Sequence, residues 1–192
     1  MLDFLNTRTG PPAGHPDDDL LTDYAALLVW FAHAGFLAGD DVRALRRAAR
    51  KDPRGAEATF ELALAVRDRV AAVFGMIVGG GRPRPQDLAW LRDAEAEALA
   101  HATLAEEQGF SWTWAHDRSV QRPVRPIVHS AVELLTRGPL DRIKQCAGCS
   151  YLFLDESKNR SRRWCSMDDC GASEKARRYV AARRLRGSDR EA

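Results

Sequence analysis

Between positions 146 and 170 the chain reads CAGCSYLFLDESKNRSRRWCSMDDC, a stretch that holds all four of its cysteines, Cys146, Cys149, Cys165 and Cys170. Two residues separate the first pair, fifteen lie between the pairs, and four separate the second. Each close pair offers two thiolates from one turn, and the spacer returns the second pair to the same metal, as one tetrahedral zinc ion requires. Four sulfurs close the coordination shell, so such a zinc holds structure and does not catalyse. The alternatives are two disulfides, which suit a secreted chain, and ordinary buried thiols. The N-terminus has no basic stretch followed by an apolar one, so no secretory signal is expected. The longest apolar run, residues 25–32, is eight residues, too short to span a bilayer. The expectation is one structural Zn2+ in a chain kept in a reducing cytoplasm, away from membranes.

Composition and charge bound the rest. A length of 192 residues with 45% hydrophobic content allows one ordinary domain plus a small appendage. The net charge of +2 is unevenly spread. Residues 141–192 carry 13 Lys and Arg against 8 Asp and Glu, whereas the preceding 140 carry 16 against 19. A small basic module on a mildly acidic body points to a polyanionic partner. Zinc held by four thiolates removes two positive units locally and leaves an excess. The chain uses 25 Arg and only 4 Lys, so a coding bias is the bland explanation for part of it.

The body reads as helical. Asp17, Asp18 and Asp19 precede Leu20, Leu21, Tyr24, Leu27, Leu28 and Phe31 at helical spacing, behind an acidic first turn. A short arginine-rich helix is expected over residues 40–50, a long one over 54–78, and another after Pro85. Then the period changes. Phe110, Trp112 and Trp114 alternate with Ser111 and Thr113, which predicts a strand, with residues 104–107 as its hairpin partner across Gln108 and Gly109. A last body helix is expected over 127–136, after Pro123 and Pro126. Gly138-Pro139 marks the boundary, so the predicted domains are 1–138 and 139–192.

Within the second domain, Cys146-Ala147-Gly148-Cys149 reads as a turn whose glycine lets amides bend toward sulfur. Residues 151–154 read as a strand. Cys170-Gly171 opens a helix to about Arg186, with Gly187 as its stop. Knuckle, hairpin and helix make a treble-clef-like arrangement, with Phe153 and Trp164 as its small core. The fold class is thus mainly α with a small β-hairpin (α+β), a helical N-terminal domain followed by a four-cysteine zinc finger.

Several of these residues carry a resemblance. Cys146-x2-Cys149, Phe153, Asp155, the run Asn159-Arg160-Ser161-Arg162-Arg163-Trp164-Cys165-Ser166-Met167, then Cys170-Gly171 and Lys175-Ala176-Arg177, resemble the CGNR zinc finger. Leu2-Asp3-Phe4-Leu5-Asn6-Thr7-Arg8 is similar to the opening of the ABATE domain, which accompanies that finger in bacterial proteins. The resemblance implies a stress-linked bacterial transcription regulator whose finger binds DNA, with the N-terminal domain in a sensing or regulatory role. The chain departs from the pattern at Ala172-Ser173, where the family reads Asn-Arg. If that pair serves recognition in the family, this chain is expected to bind more weakly or elsewhere; if it only caps the helix, Ser173 is expected to replace it in part as a capping hydroxyl.

Three functions compete. A nucleic-acid-binding regulator would use Arg160, Arg162 and Arg163 before the third cysteine, and Lys175, Arg177, Arg178, Arg183, Arg184 and Arg186 on the final helix. Arginine forks suit phosphates and guanine edges. The bland reading of each arginine is a solvated helix face. A zinc-stabilised protein-interaction module would dock on a partner or on a second copy of the chain as a homodimer. An enzyme is disfavoured: His15, His33, His101, His116 and His129 are scattered, with no nucleophile–base pairing and no phosphate loop. Asp3, Asn6, Thr7 and Arg8 are either a turn that satisfies its own backbone or, with Trp30, the lining of a pocket for a small ligand of unread class.

Overall fold

In the computed structural model, residues 1–11, 18–106, 109–115 and 117–188 are described, the last eight as backbone only. The chain divides into two compact units, Met1–Arg8 with Asp19–Asp141, and Thr9–Asp18 with Arg142–Ala192.

The first unit is built on helices. A one-turn helix α1 (Leu2–Leu5) leads, past the two-residue strands β1 (Arg8–Thr9) and β2 (Asp18–Asp19) at which the division falls, to α2 (Tyr24–His33), α3 (Gly39–Lys51), α4 (Pro53–Val78) and α5 (Pro85–Ala100). A hairpin of β3 (Thr103–Glu106) and β4 (Phe110–Thr113) follows, then α6 (Val124–Arg137). Helix α4 is the spine. Asp52 caps it by accepting from the Gly55 amide at 2.9 Å, and Pro53 sits in its first turn, where no intrahelical donor is needed. Ala56, Ala63, Val66, Val70, Val73 and Phe74 form one buried stripe along it. Leu27, Leu28 and Phe31 of α2 and Ile127 of α6 are wholly inaccessible in the same core.

Two expectations are corrected here. The acidic triplet does not open a helix. Asp18–Asp19 is a strand, Asp17 lies outside the described residues, and α2 starts at Tyr24 with Asp23 accepting from the Ala26 amide at 2.7 Å. The reason is tertiary: both Asp19 carboxylate oxygens accept from the buried Arg67 guanidinium of α4, at 2.7 and 2.5 Å. Helix α6 starts earlier than expected and includes Pro126. Pro126 is its third residue, where the missing N–H is one of the four that no helix can bond.

The expected hairpin forms. Leu104 faces Trp112 and Thr103 faces Thr113 across an antiparallel pair; Glu107 and Gln108 lie outside the described residues. Trp114, one residue beyond β4, is buried, and its indole N–H donates to the Ala98 carbonyl at the end of α5 at 2.8 Å. Among the described residues no helix is long and apolar enough to cross a membrane.

Candidate metal centre and nucleic-acid interface

The second unit assembles around the cysteines. Strands β5 (Ile143–Gln145) and β6 (Leu152–Leu154) pair antiparallel, with Lys144 opposite Phe153. The turn between them carries Cys146 and Cys149. The Cys146 amide donates to the Tyr151 carbonyl at 2.8 Å and the Ala147 amide to the Arg163 carbonyl at 3.0 Å. The second bond ties the knuckle to the stretch of chain that brings Cys165. Cys170 sits in a π-helical turn, Met167–Gly171, that runs straight into α7 (Ala172–Ser188). Ser166 caps this turn, its hydroxyl accepting from the Asp169 amide at 3.2 Å. The capping role expected of Ser173 therefore falls on Ser166, because the helix begins a turn earlier. Gly187 does not stop α7, which continues through it to Ser188.

The four sulfurs converge. All lie within 4.8 Å of one another, and Cys165 Sγ is 3.7 Å from both Cys149 Sγ and Cys170 Sγ. Four sulfurs about 2.3 Å from a tetrahedral zinc are separated by about 3.8 Å, so the quartet has the dimensions of a zinc site. Among the described residues this is the one cluster of metal-ligating side chains. Gly148 packs closely beside it: its amide points at Cys146 Sγ from 3.4 Å, and a Cβ there would stand a tight 3.2 Å from Cys170 Cβ. Burial pushes the Cys165 thiol up, as do the neighbouring sulfurs, and the Cys170 thiol rises to about 11. At Cys146 burial is outweighed by amides of Cys165 and Gly148, which bring it down to about 7. Four thiolates crowded this closely need a dication among them, which is what a structural zinc supplies.

A polar knot flanks the metal centre. Asp155 is fully buried. Its carboxylate accepts from Lys144 Nζ at 2.6 Å, from the Ser157 hydroxyl at 2.6 Å and amide at 3.0 Å, and from the Arg162 amide at 3.1 Å. The Lys144 ammonium and the Ser157 hydroxyl hold this carboxyl well below the usual carboxylate range. Lys144 Nζ also donates to the Arg160 carbonyl, and Arg160 takes a positive φ of 50°. Arg142 donates to the Asp155 carbonyl at 3.0 Å. Asp155 was legible only as a letter of the family motif, and Lys144 and Arg142 carried no sequence signal at all.

The basic residues divide into two kinds. Arg162 is committed: its guanidinium donates to the Trp164 carbonyl at 2.8 Å and to the Cys165 carbonyl, and lies over the Phe153 ring at 4.7 Å. Phe153 is buried and Trp164 half-buried, and the Trp164 ring and Cys170 Sγ both stand 3.5 Å from where a Cβ on Gly148 would lie. Arg163 is exposed, against the Trp164 ring at 5.5 Å. Lys175, Arg177 and Arg178 are exposed on the first turns of α7, where Arg178 pairs with Glu174 at 2.9 Å and Arg177 approaches it at 3.9 Å. The side chains of Arg183, Arg184 and Arg186 lie outside those described.

A family model described as "Putative stress-induced transcription regulator", ABATE, matches residues 1–138. The chain belongs to the ABATE family. Residues 142–184 match a second model, the CGNR zinc finger, which spans all four cysteines. With that match and the sulfur geometry, the C-terminal unit is a four-cysteine zinc finger holding one structural zinc. Neither model is of an enzyme family. No curated protein matches the chain.

The residues matched at the start of the ABATE region are placed as follows. Asp3 is exposed and Asn6 is buried. The Thr7 hydroxyl donates to the Phe4 carbonyl at 2.7 Å and accepts from Arg67 at 3.0 Å, while Arg8 pairs with Asp68 of α4 at 2.9 Å. Trp30 packs on Phe4 with ring centroids 5.1 Å apart. These contacts tie the N-terminus to α4 and α2.

Proposed function

We propose that this ABATE-family protein is a transcription regulator that binds DNA through its zinc finger. The observation that carries the reading is the state of α7. Every residue from Lys175 to Val180 is exposed, so over this stretch the helix that follows the cysteines presents its basic side chains to solvent. A single basic helix of this kind fits the major groove, and its guanidinium and ammonium groups would contact phosphates first. Arg163, Lys175, Arg177 and Arg178 are the contacts we assign, with Arg183 and Arg184 extending them. Arg162 we assign to holding the loop of Cys165 in place. Zinc-bound thiolates suit a reducing cytoplasm, where we place the protein, and the N-terminal domain is assigned the sensing of a small ligand.

A second reading has its own observation. Tyr179 and Val180 on α7 are 64% and 47% exposed, and exposed apolar groups suit a protein partner or a second copy of the chain. The test is fluorescence anisotropy with a labelled duplex. Arg177→Ala with Arg178→Ala should weaken binding about tenfold or more at low salt with zinc content unchanged. Binding unaffected by the pair, or none at micromolar protein, favours the protein-interaction reading.

A further inference from the structure

Helix α3 reverses the charge of the acidic part of the chain to which it belongs. Asp40 and Asp41 open it, and Arg43, Arg46, Arg47, Arg50 and Lys51 follow. Arg47 and Lys51 are one turn apart and share a face. Beside that face a cavity of about 260 Å3 lies between α3 and the stretch 117–122 that precedes α6. Arg47 and Lys51 line it from the helix, and Arg118 with the buried Arg122 from the facing stretch. The small side chains of Ala44 and Ala48 and the buried Leu45 complete the lining with apolar surface.

The neighbouring carboxylates are already engaged. Asp117 accepts from the Ser119 amide at 2.9 Å and hydroxyl at 3.2 Å, and it pairs with the buried Arg125. Asp41 pairs with Arg122 at 2.8 Å. That hydrogen bond holds the Asp41 carboxyl below its ordinary value, and Arg118 adds to the effect from beyond ion-pair distance. Asp52, next to Lys51 in sequence, caps α4. Among the described residues, Arg47, Lys51 and Arg118 have no carboxylate within ion-pair distance. With Arg125 included, five positive side chains stand against the two carboxylates of Asp41 and Asp117 around one cavity.

Such a surplus suits an occupant that is itself doubly negative. The volume is just below the roughly 300–1,000 Å3 of ordinary ligand pockets, so the occupant is small. Guanidinium forks match the oxygens of a phosphate group, and apolar surface beneath the charges strengthens the attraction by excluding part of the water. We propose that this cavity binds the phosphate of a small phosphomonoester, held by Arg47 and Lys51 from α3 and by Arg118 from the facing stretch. The inference deepens the sensing role assigned above to the N-terminal domain, and rests on that reading for its biological meaning only.

Ethyl phosphate is the probe, titrated into the full-length zinc-loaded protein and followed by phosphorus NMR at about pH 8, where the monoester carries two charges. It should bind with a dissociation constant of about 1 mM, and propionate, with one charge, should fail to displace it at about tenfold excess. Arg47→Ala with Lys51→Ala should weaken binding about tenfold or more. Arg46→Ala with Arg50→Ala removes the same charge from the same helix, but from residues that line a different cavity, and should change the affinity less than about twofold. All four are exposed helix positions where alanine favours the helix, so both variants should fold. No binding up to about 20 mM, displacement by propionate, equal loss in the two variants, or binding untouched by the first pair overturns the proposal. Arg47→Ala with Lys51→Ala should also leave duplex binding unchanged; loss of duplex binding in a protein that ignores the monoester would give the cavity to the DNA backbone instead. Wild-type duplex binding measured without the monoester separates failure of this cavity from failure of the DNA reading.

Discussion

Arg162 and Arg163 are neighbours of the same type, yet their surroundings give them different work. Arg162 donates to the carbonyls of Trp164 and Cys165, so it orients the loop that presents the third zinc ligand. Groups that position a ligand commonly change metal affinity 10- to 100-fold when removed. Arg162→Ala should therefore speed zinc extraction by a chromogenic chelator about tenfold, whereas Arg163→Ala should leave it unchanged and weaken only duplex binding. Equal extraction rates would remove the distinction. Asp155 allows a test in pH. Its carboxyl is held below its ordinary value of 3.8, so its stabilising contribution is complete above that value and fades only in stronger acid. The finger of Asp155→Asn should melt at a lower temperature than that of wild type, by a margin constant between about pH 6 and pH 8. A margin that shrinks as pH rises across that range would mean a raised carboxyl instead.

At the scale of elements, the long helix is the plainest case of structure following pattern. Apolar residues at spacings of three and four predict a helix over 54–78, and α4 spans Pro53–Val78. Phe74 on its buried stripe is wholly inaccessible. Phe74→Ala should lower stability of the first unit by about 4 kcal/mol in urea denaturation, and a loss under about 1 kcal/mol would place that stripe outside the core. The four cysteines are as legible as the helices because ligand spacing is a local constraint. What could not be read are pairings fixed by distant residues. Asp19 has the look of an acidic first turn, but Arg67, 48 residues away, takes both its oxygens. The bracing of the finger by Lys144 and Asp155 is hidden for the same reason, since nothing in a single lysine on a short strand announces a buried carboxylate partner. Thr7 and Arg8, singled out with Asp3 and Asn6 as pocket candidates, make contacts with α4 that no periodicity encodes.

For the whole molecule, zinc is expected to govern the finger alone. A ligand set of four thiolates couples metal binding to folding, so chelation should release four titratable sulfhydryls and unfold the finger. The first unit has its own core of helices, and a chain ending at Gly138 should keep its helical circular-dichroism signal and a cooperative melt. An insoluble or molten truncation would mean that its core draws on the finger. The central claim is that the zinc-anchored basic surface meets DNA, and salt tests it most directly. Each phosphate neutralised releases condensed counterions, contributing about −0.9 to the log–log slope of affinity against salt. Roughly four to six contacts from a module of this size predict a slope of about −4 to −5 for the wild-type protein, reduced by about two when Arg177 and Arg178 are both alanine. A wild-type slope near zero between low and physiological salt would contradict the account.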